Sequence, residues 1–206
     1  MEEKTSTFIA TLHRKGSTSG ELALTPDAIE KLLSVVTDLN DLALLQLAVS
    51  TGMRREDIIH VLTKDVDFDK GKVTYYEKKK KKIRTVKLPQ TVLNTLKMLI
   101  TINKREEFLF PSNYGKTIKK PTKKWKNHIS SRTAYNILNK YLEKAKLPKR
   151  PFHALRATCA KLCQKKGWTV EETAKHIGDT VETTQQHYTT PSESEMDEVM
   201  EKKPLL

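Results

Sequence analysis

His153-Ala154-Leu155-Arg156-Ala157-Thr158-Cys159-Ala160-Lys161-Leu162-Cys163-Gln164-Lys165-Lys166 reads as one helix, with Leu155, Cys159, Leu162 and Cys163 on a shared apolar face. His153 and Arg156 stand one turn apart at its start, so their side chains face the same way. Further along, Thr184-Gln185-Gln186-His187-Tyr188 puts a tyrosine on a second, short helix. A guanidinium suited to paired phosphate oxygens, an imidazole that handles protons and a phenol nucleophile are the parts of phosphodiester chemistry.

Outward from this stretch the periodicity stays helical. Thr25 caps a helix that has Pro26 at its first position and Ile29, Leu32, Leu33 and Val36 at helical spacing. A helix over 41–50 is almost wholly apolar and therefore buried. Helices follow over 91–102, 131–144 and 169–177, the last opening on the capping box Thr169-Val170-Glu171-Glu172. Only 66–78 and 83–88 alternate and carry β-branched residues, with Asp69-Lys70-Gly71 as a turn, which predicts two or three antiparallel strands. The expected fold is α+β, predominantly α-helical with one small antiparallel sheet. Cys159 and Cys163 read as small core residues, because two helical cysteines four apart seldom pair and are too few to hold a metal.

The chain has 206 residues, enough for one domain with tails, and 38 Lys and Arg stand against 25 Asp and Glu. A net charge of +13 repels itself unless a polyanion neutralises it, so nucleic acid is the expected partner, with a solvated lysine-rich surface as the alternative. No apolar run approaches the ~18 residues of a membrane span, and Met1-Glu2-Glu3-Lys4 opens no signal peptide. The expected location is intracellular, in cytoplasm or nucleoid, with no membrane partner.

A third motif strengthens the reading. Thr51-Gly52-Met53-Arg54-Arg55-Glu56-Asp57 closes one apolar helix and opens the next with an arginine at the junction. Together with His153-Ala154-Leu155-Arg156 and Tyr188 it resembles the tyrosine recombinase (phage-type integrase) family, whose motifs read T-G-[LM]-R-x-x-E, H-x-L-R and T-T-x-x-Y. Thr183-Thr184 stand one residue further from the tyrosine than in that pattern. Phe108-Leu109-Phe110-Pro111-Ser112 resembles the family's L-F-P-S segment, and the likeness runs from about residue 24 to 190.

The resemblance implies the family's catalytic-domain fold and a site-specific recombinase or integrase. Such an enzyme breaks and rejoins DNA through a 3′-phosphotyrosyl intermediate, as in viral genome integration. It also implies four protomers on DNA, weakly associated or monomeric without it, and neither a metal nor a small-molecule cofactor. Arg54 and Arg156 would clamp the phosphate, with Arg55 a competitor for Arg54. Tyr188 would be the nucleophile, and His153 would accept its proton or hold a phosphate oxygen. A hairpin lysine would protonate the leaving 5′-oxygen. Counting back from Arg84-Thr85-Val86-Lys87-Leu88 gives Lys79, counting forward from Arg54 gives Lys78, and strand alternation admits only one of them. Lys80, Lys81 and Lys82 would grip DNA by charge, as would Lys119, Lys120, Lys123 and Lys124 in the basic stretch 116–126 and Arg132 beyond it. Trp125 in that stretch would stack on a base or pack on the core.

The clearest departure is Asp179 after Gly178, where the family usually has histidine or tryptophan. An anion about 4 Å from a phosphate is repelled by roughly 4 kcal/mol at an effective dielectric of ~20. Three readings follow: Asp179 turns to an arginine and orients it, His176 takes the missing role, or the enzyme is slow or inactive. Type IB topoisomerase-like relaxation and a catalytically impaired DNA-binding regulator are the other functions kept in view. Residues 1–20 read as a flexible arm or linker, 21–191 as the catalytic domain and 192–206 as a tail that offers a protomer-docking helix. Family members usually carry a preceding core-binding domain, so the chain is either a catalytic portion of such a protein, which the linker-like start favours, or a naturally short enzyme.

Overall fold

The computed structural model describes residues 19–103, 107–112, 128–189 and 193–204. Residues 1–18 of the arm expected over 1–20, and the basic stretch with Lys119, Lys120, Lys123, Lys124 and Trp125, lie outside the described residues.

Helix α1 is Pro26–Ser34, begun by Thr25, whose hydroxyl accepts from the Ala28 amide. Helix α2, Leu39–Thr51, starts earlier than its apolar run because the Asp38 carboxylate accepts from the Asn40 and Asp41 amides. It ends at Gly52, where φ is 63°. Asp41 lies buried beside α5, Ser131–Lys144, accepting from Tyr141 Oη at 2.9 Å and Lys140 Nζ at 3.1 Å. A four-residue helix α3, Arg55–Ile58, follows Arg54 directly.

The sheet is β1 (Val66–Asp67), β2 (Lys72–Glu77) and β3 (Lys82–Lys87), antiparallel and in that order. Val73, Tyr75 and Val86 face the core, while Thr74 and Thr85 pair on the outer face. Strand β2 ends at Glu77, so Lys78 and Lys79 belong to a turn that closes through Lys81 at φ 51°. Strand alternation therefore cannot choose between those two lysines.

Further helices are α4 (Gln90–Asn103), α6 (Ala154–Lys165), α7 (Val170–Ile177) and α8 (Val181–Thr184). The last runs straight into a π-helical turn, Gln185–Thr189, and α9 is Glu193–Lys202. Leu32, Leu44, Leu47, Leu96, Leu99, Leu138 and Leu142 meet in the main core, each burial contributing about 1.5–3 kcal/mol. A smaller cluster of Ala157, Cys159, Ala160, Cys163, Ile177 and Tyr188 lies beside it. The Ser19–Leu22 3-10 turn seats Gly20 so tightly that a Cβ there would sit 3.0 Å from the His187 carbonyl. Gly20 thus packs against the segment that carries Tyr188. Among the described residues no helix is long and apolar enough to cross a membrane.

Candidate active site

Among the described residues, Arg156 is the most deeply buried cation. It lies on the first turn of α6, buried, where α2 and α7 both end. Its Nη1 donates to the carbonyls of Gly52 at 2.7 Å and Ile177 at 2.6 Å, and its Nη2 to Asp179 Oδ2 at 2.9 Å. Two helix C-termini therefore aim their negative ends at one guanidinium, which favours the buried charge. Burial opposes that charge, yet the Asp179 bond and nearby Tyr188 raise its pKa above the ordinary value. Both helices stop at left-handed glycines, and Gly52 has no room for more: a Cβ would lie 2.9 Å from Ile177 Cγ2.

Asp179 is aimed by the way α7 ends. Gly178 at φ 79° and the amides of Gly178 and Asp179, both bonded to the Ala174 carbonyl at 2.9 Å, form a Schellman-type stop. The chain then turns Asp179 back onto Arg156, with Arg54 Nη2 and Lys80 Nζ each 3.8 Å from its Oδ1. Burial pushes its pKa up, but the Arg156 hydrogen bond and the charges of Arg156, Arg54 and Lys80 leave it below the usual carboxylate value. This is the arrangement in which Asp179 orients an arginine. His176 does not join it: its Nε2 meets the Ser50 carbonyl at 2.8 Å, on the far side of α7.

Tyr188 and His153 meet. The π-helical turn, a rare form often found at functional sites, carries Tyr188 to 3.0 Å (Oη) from His153 Nε2. Burial raises the Tyr188 pKa, with Arg156 and Arg54 pulling the other way. Burial, then the charges of Arg156 and Arg54, lower the His153 pKa, which favours the neutral ring.

Arg54, at the N-cap of α3, makes no cap bond. Instead its Nη1 donates to Glu77 Oε1. Glu77 is 1% exposed, and Arg84 lies on its other oxygen at 3.8 Å. Sequence reasoning missed Glu77, although it takes the inward place in the alternation Val73, Tyr75, Glu77. Arg84 closes the C-terminus of α7 by donating to the Lys175 and His176 carbonyls at 2.6 and 3.1 Å. Asp57, also buried, accepts from the Lys78 amide at 3.1 Å, and burial raises its pKa.

The turn lysines part company. Lys78 Nζ goes to His60 Nε2 at 2.9 Å, and Lys80 Nζ to the Gly178 carbonyl at 3.0 Å. Lys79 is exposed and lines a cleft of about 580 Å³ with Arg54, Arg55, Phe152 and His153. Lys81 and Lys82 are exposed beyond it. Arg132, on the first turn of α5, lies over the Tyr135 ring at 5.6 Å.

Comparison with known proteins sets these residues in context. The model of the phage integrase family matches residues 23–195. A tyrosine recombinase XerA of Pyrococcus furiosus is 26% identical over 187 residues, covering 89% of this chain and 62% of its own. One from Saccharolobus solfataricus is 28% identical over 167 residues, covering 81% and 51%. This chain thus spans less than two thirds of those relatives' length. Among solved structures, a XerA recombinase superposes with a TM-score of 0.74 at 20% identity, over 89% of this chain and 64% of the other. A XerH site-specific recombinase bound to difH substrate gives 0.66 at 19%, over 86% and 53%. A Tn1549 transposon integrase with transposon right-end DNA gives 0.63 at 18%, over 88% and 65%. At these identities the structures establish a shared fold.

Proposed function

Because the chain belongs to the phage integrase family, we propose that it is the catalytic portion of a site-specific recombinase cutting and rejoining duplex DNA through Tyr188. The observation that carries the reading is the 3.0 Å contact of Tyr188 Oη with His153 Nε2, beside the buried Arg156.

In this reading Tyr188 Oη attacks the phosphorus while its proton passes to His153 Nε2. The bond to the 5′-oxygen breaks, and Lys79, free of partners among the described residues, protonates the leaving oxygen from the cleft it shares with Arg54 and His153. A 3′-phosphotyrosine and a 5′-hydroxyl result. Attack by a 5′-hydroxyl from another strand reverses each step, and since one phosphoester replaces another, no nucleotide is consumed. Arg54 and Arg156 supply the positive charge, so the reaction as drawn calls for no divalent cation. Asp179 keeps Arg156 in place, so that its charge stands beside Tyr188.

Duplex DNA as partner rests on the net charge of +13 and on the exposed Lys79, Lys81, Lys82 and Arg132. The DNA-bound XerH and Tn1549 structures support it by likeness of fold. Assembly of four protomers on DNA, action inside the cell and integration of a viral genome are narrower forms of the same proposal. The test is a nicked suicide substrate of the target DNA, incubated with EDTA in place of magnesium. An SDS-resistant adduct with the wild type and none with Tyr188→Phe is expected. An adduct that survives Tyr188→Phe would overturn the assignment of the nucleophile.

A further inference from the structure

The two cysteines of α6 gain a third companion in the fold. Cys159 and Cys163, four residues apart, present their sulfurs on one face, and α7 brings His176 to them. One ligand atom from each of the three lies within 4.8 Å of the others. The His176 ring is already fixed. Its Nε2 faces the Ser50 carbonyl at 2.8 Å, and since a carbonyl only accepts, Nε2 carries the proton and Nδ1 is left with its lone pair. A ring N–H held by a backbone carbonyl is the usual support of a metal-bound histidine. The group borders a cavity of about 480 Å³ lined by Leu33, Val49, Val92, Leu162 and Trp168, which leaves space for a fourth ligand.

From this geometry we infer that Cys159, Cys163 and His176 form a site for a thiophilic cation of the Zn²⁺ class, separate from the proposed catalytic residues. Two thiolates and one imidazole are a soft donor set, poor for magnesium or calcium and suited to tetrahedral zinc. At Zn–S distances of about 2.3 Å the two sulfurs stand about 3.8 Å apart, so a closure on the order of 1 Å seats the ion. Binding replaces two S–H protons with two S–metal bonds and releases the protons to solvent. The bound ion would tie α6 to α7 and, through His176, to the end of α2.

The inference does not rest on the recombinase reading, and its test reads no DNA chemistry. The reduced 206-residue chain is titrated with Co²⁺, then with Zn²⁺. A near-ultraviolet thiolate-to-cobalt charge-transfer band that Zn²⁺ abolishes is expected, together with a rise in Tm on adding Zn²⁺ and weaker binding at lower pH. Cys163→Ser and His176→Gln should each weaken binding by more than about tenfold. Glutamine's amide N–H is a donor for the Ser50 carbonyl, so the second variant keeps the fold if the first does not. A cobalt spectrum without charge transfer, or affinity unchanged in His176→Gln, would show a packed thiol pair only and overturn the inference.

Discussion

The wall around Arg156 and the turn of Lys78–Lys81 supply charge to the same place by opposite means. On the wall, two helix ends and one carboxylate take up Arg156 so fully that its side chain is 2% exposed. On the turn, four consecutive lysines leave the sheet together, and each has at most a few polar neighbours or none. A buried cation is positioned by the folding energy of the whole domain, whereas an exposed one is positioned by what it binds. Changes on the wall should therefore cost stability and chemistry together, and changes on the turn chemistry alone.

Arg156→Lys should break the comparison hardest. An ammonium cannot span the Gly52 and Ile177 carbonyls and the Asp179 carboxylate at once. Each buried acceptor left unpaired costs about 1–3 kcal/mol. Phosphotyrosyl formation should fall by about a hundred- to a thousandfold as the oriented donor is lost. Thermal unfolding and single-turnover adduct formation on one preparation check both. Full stability with lost activity would mean the wall is less integrated than its bonds imply.

Lys79→Ala should sharpen the contrast from the other side. Adduct formation should fall by about a hundredfold or more if Lys79 delivers the proton, while Tm stays within the ~0.5 kcal/mol range of surface changes. A substrate with sulfur for the bridging 5′-oxygen needs no proton to leave, so it should restore the rate. Rescue in Lys78→Ala or Lys80→Ala instead would move the role to that lysine. Asp179→Asn belongs between wall and turn. It keeps an acceptor for Arg156 but removes the charge facing Arg54 and Lys80. Tm should drop by an amount near 1–3 kcal/mol in stability, with tighter DNA binding at low salt. Unchanged stability would deny Asp179 its part in holding the arginine.

The same contrast explains what could be read from residues alone. Spacing on a helix is rigid, so His153 and Arg156 were legible as a pair, and the helices over 131–144 and 169–177 nearly to the residue. The capping box at Thr169 and the glycines after α2 and α7 marked their ends. The fate of each hairpin lysine was not legible, because five like residues in a row carry no pattern and strand β2 stops one residue before them. The carboxylate layer was half visible. Asp179 stood out as a departure, but its direction depended on a left-handed glycine and on which helix end lay opposite. Glu77 required seeing that an acid occupied an inward strand position, a place that makes sense only once Arg54 and Arg84 arrive from distant segments. His176 beside the cysteines needed two helices to pack, which no local period reveals.

Acid should separate wall from turn most gently. His60, His153 and His176 all have pKa values lowered chiefly by burial, so each binds a proton more readily in the unfolded chain. Stability is then highest above the ordinary histidine value of about 6.5 and falls as pH drops through it toward the folded values. Asp57, raised by burial, acts with the opposite sign but nearer the carboxylate range. The lowered Asp179 gives up its contribution only below about 4. With a chelator present, Tm should decline between pH 7.5 and 5.5, and less steeply in His176→Gln. A flat profile would mean these rings protonate in place at no cost, and then the wall would be no more closed to water than the turn.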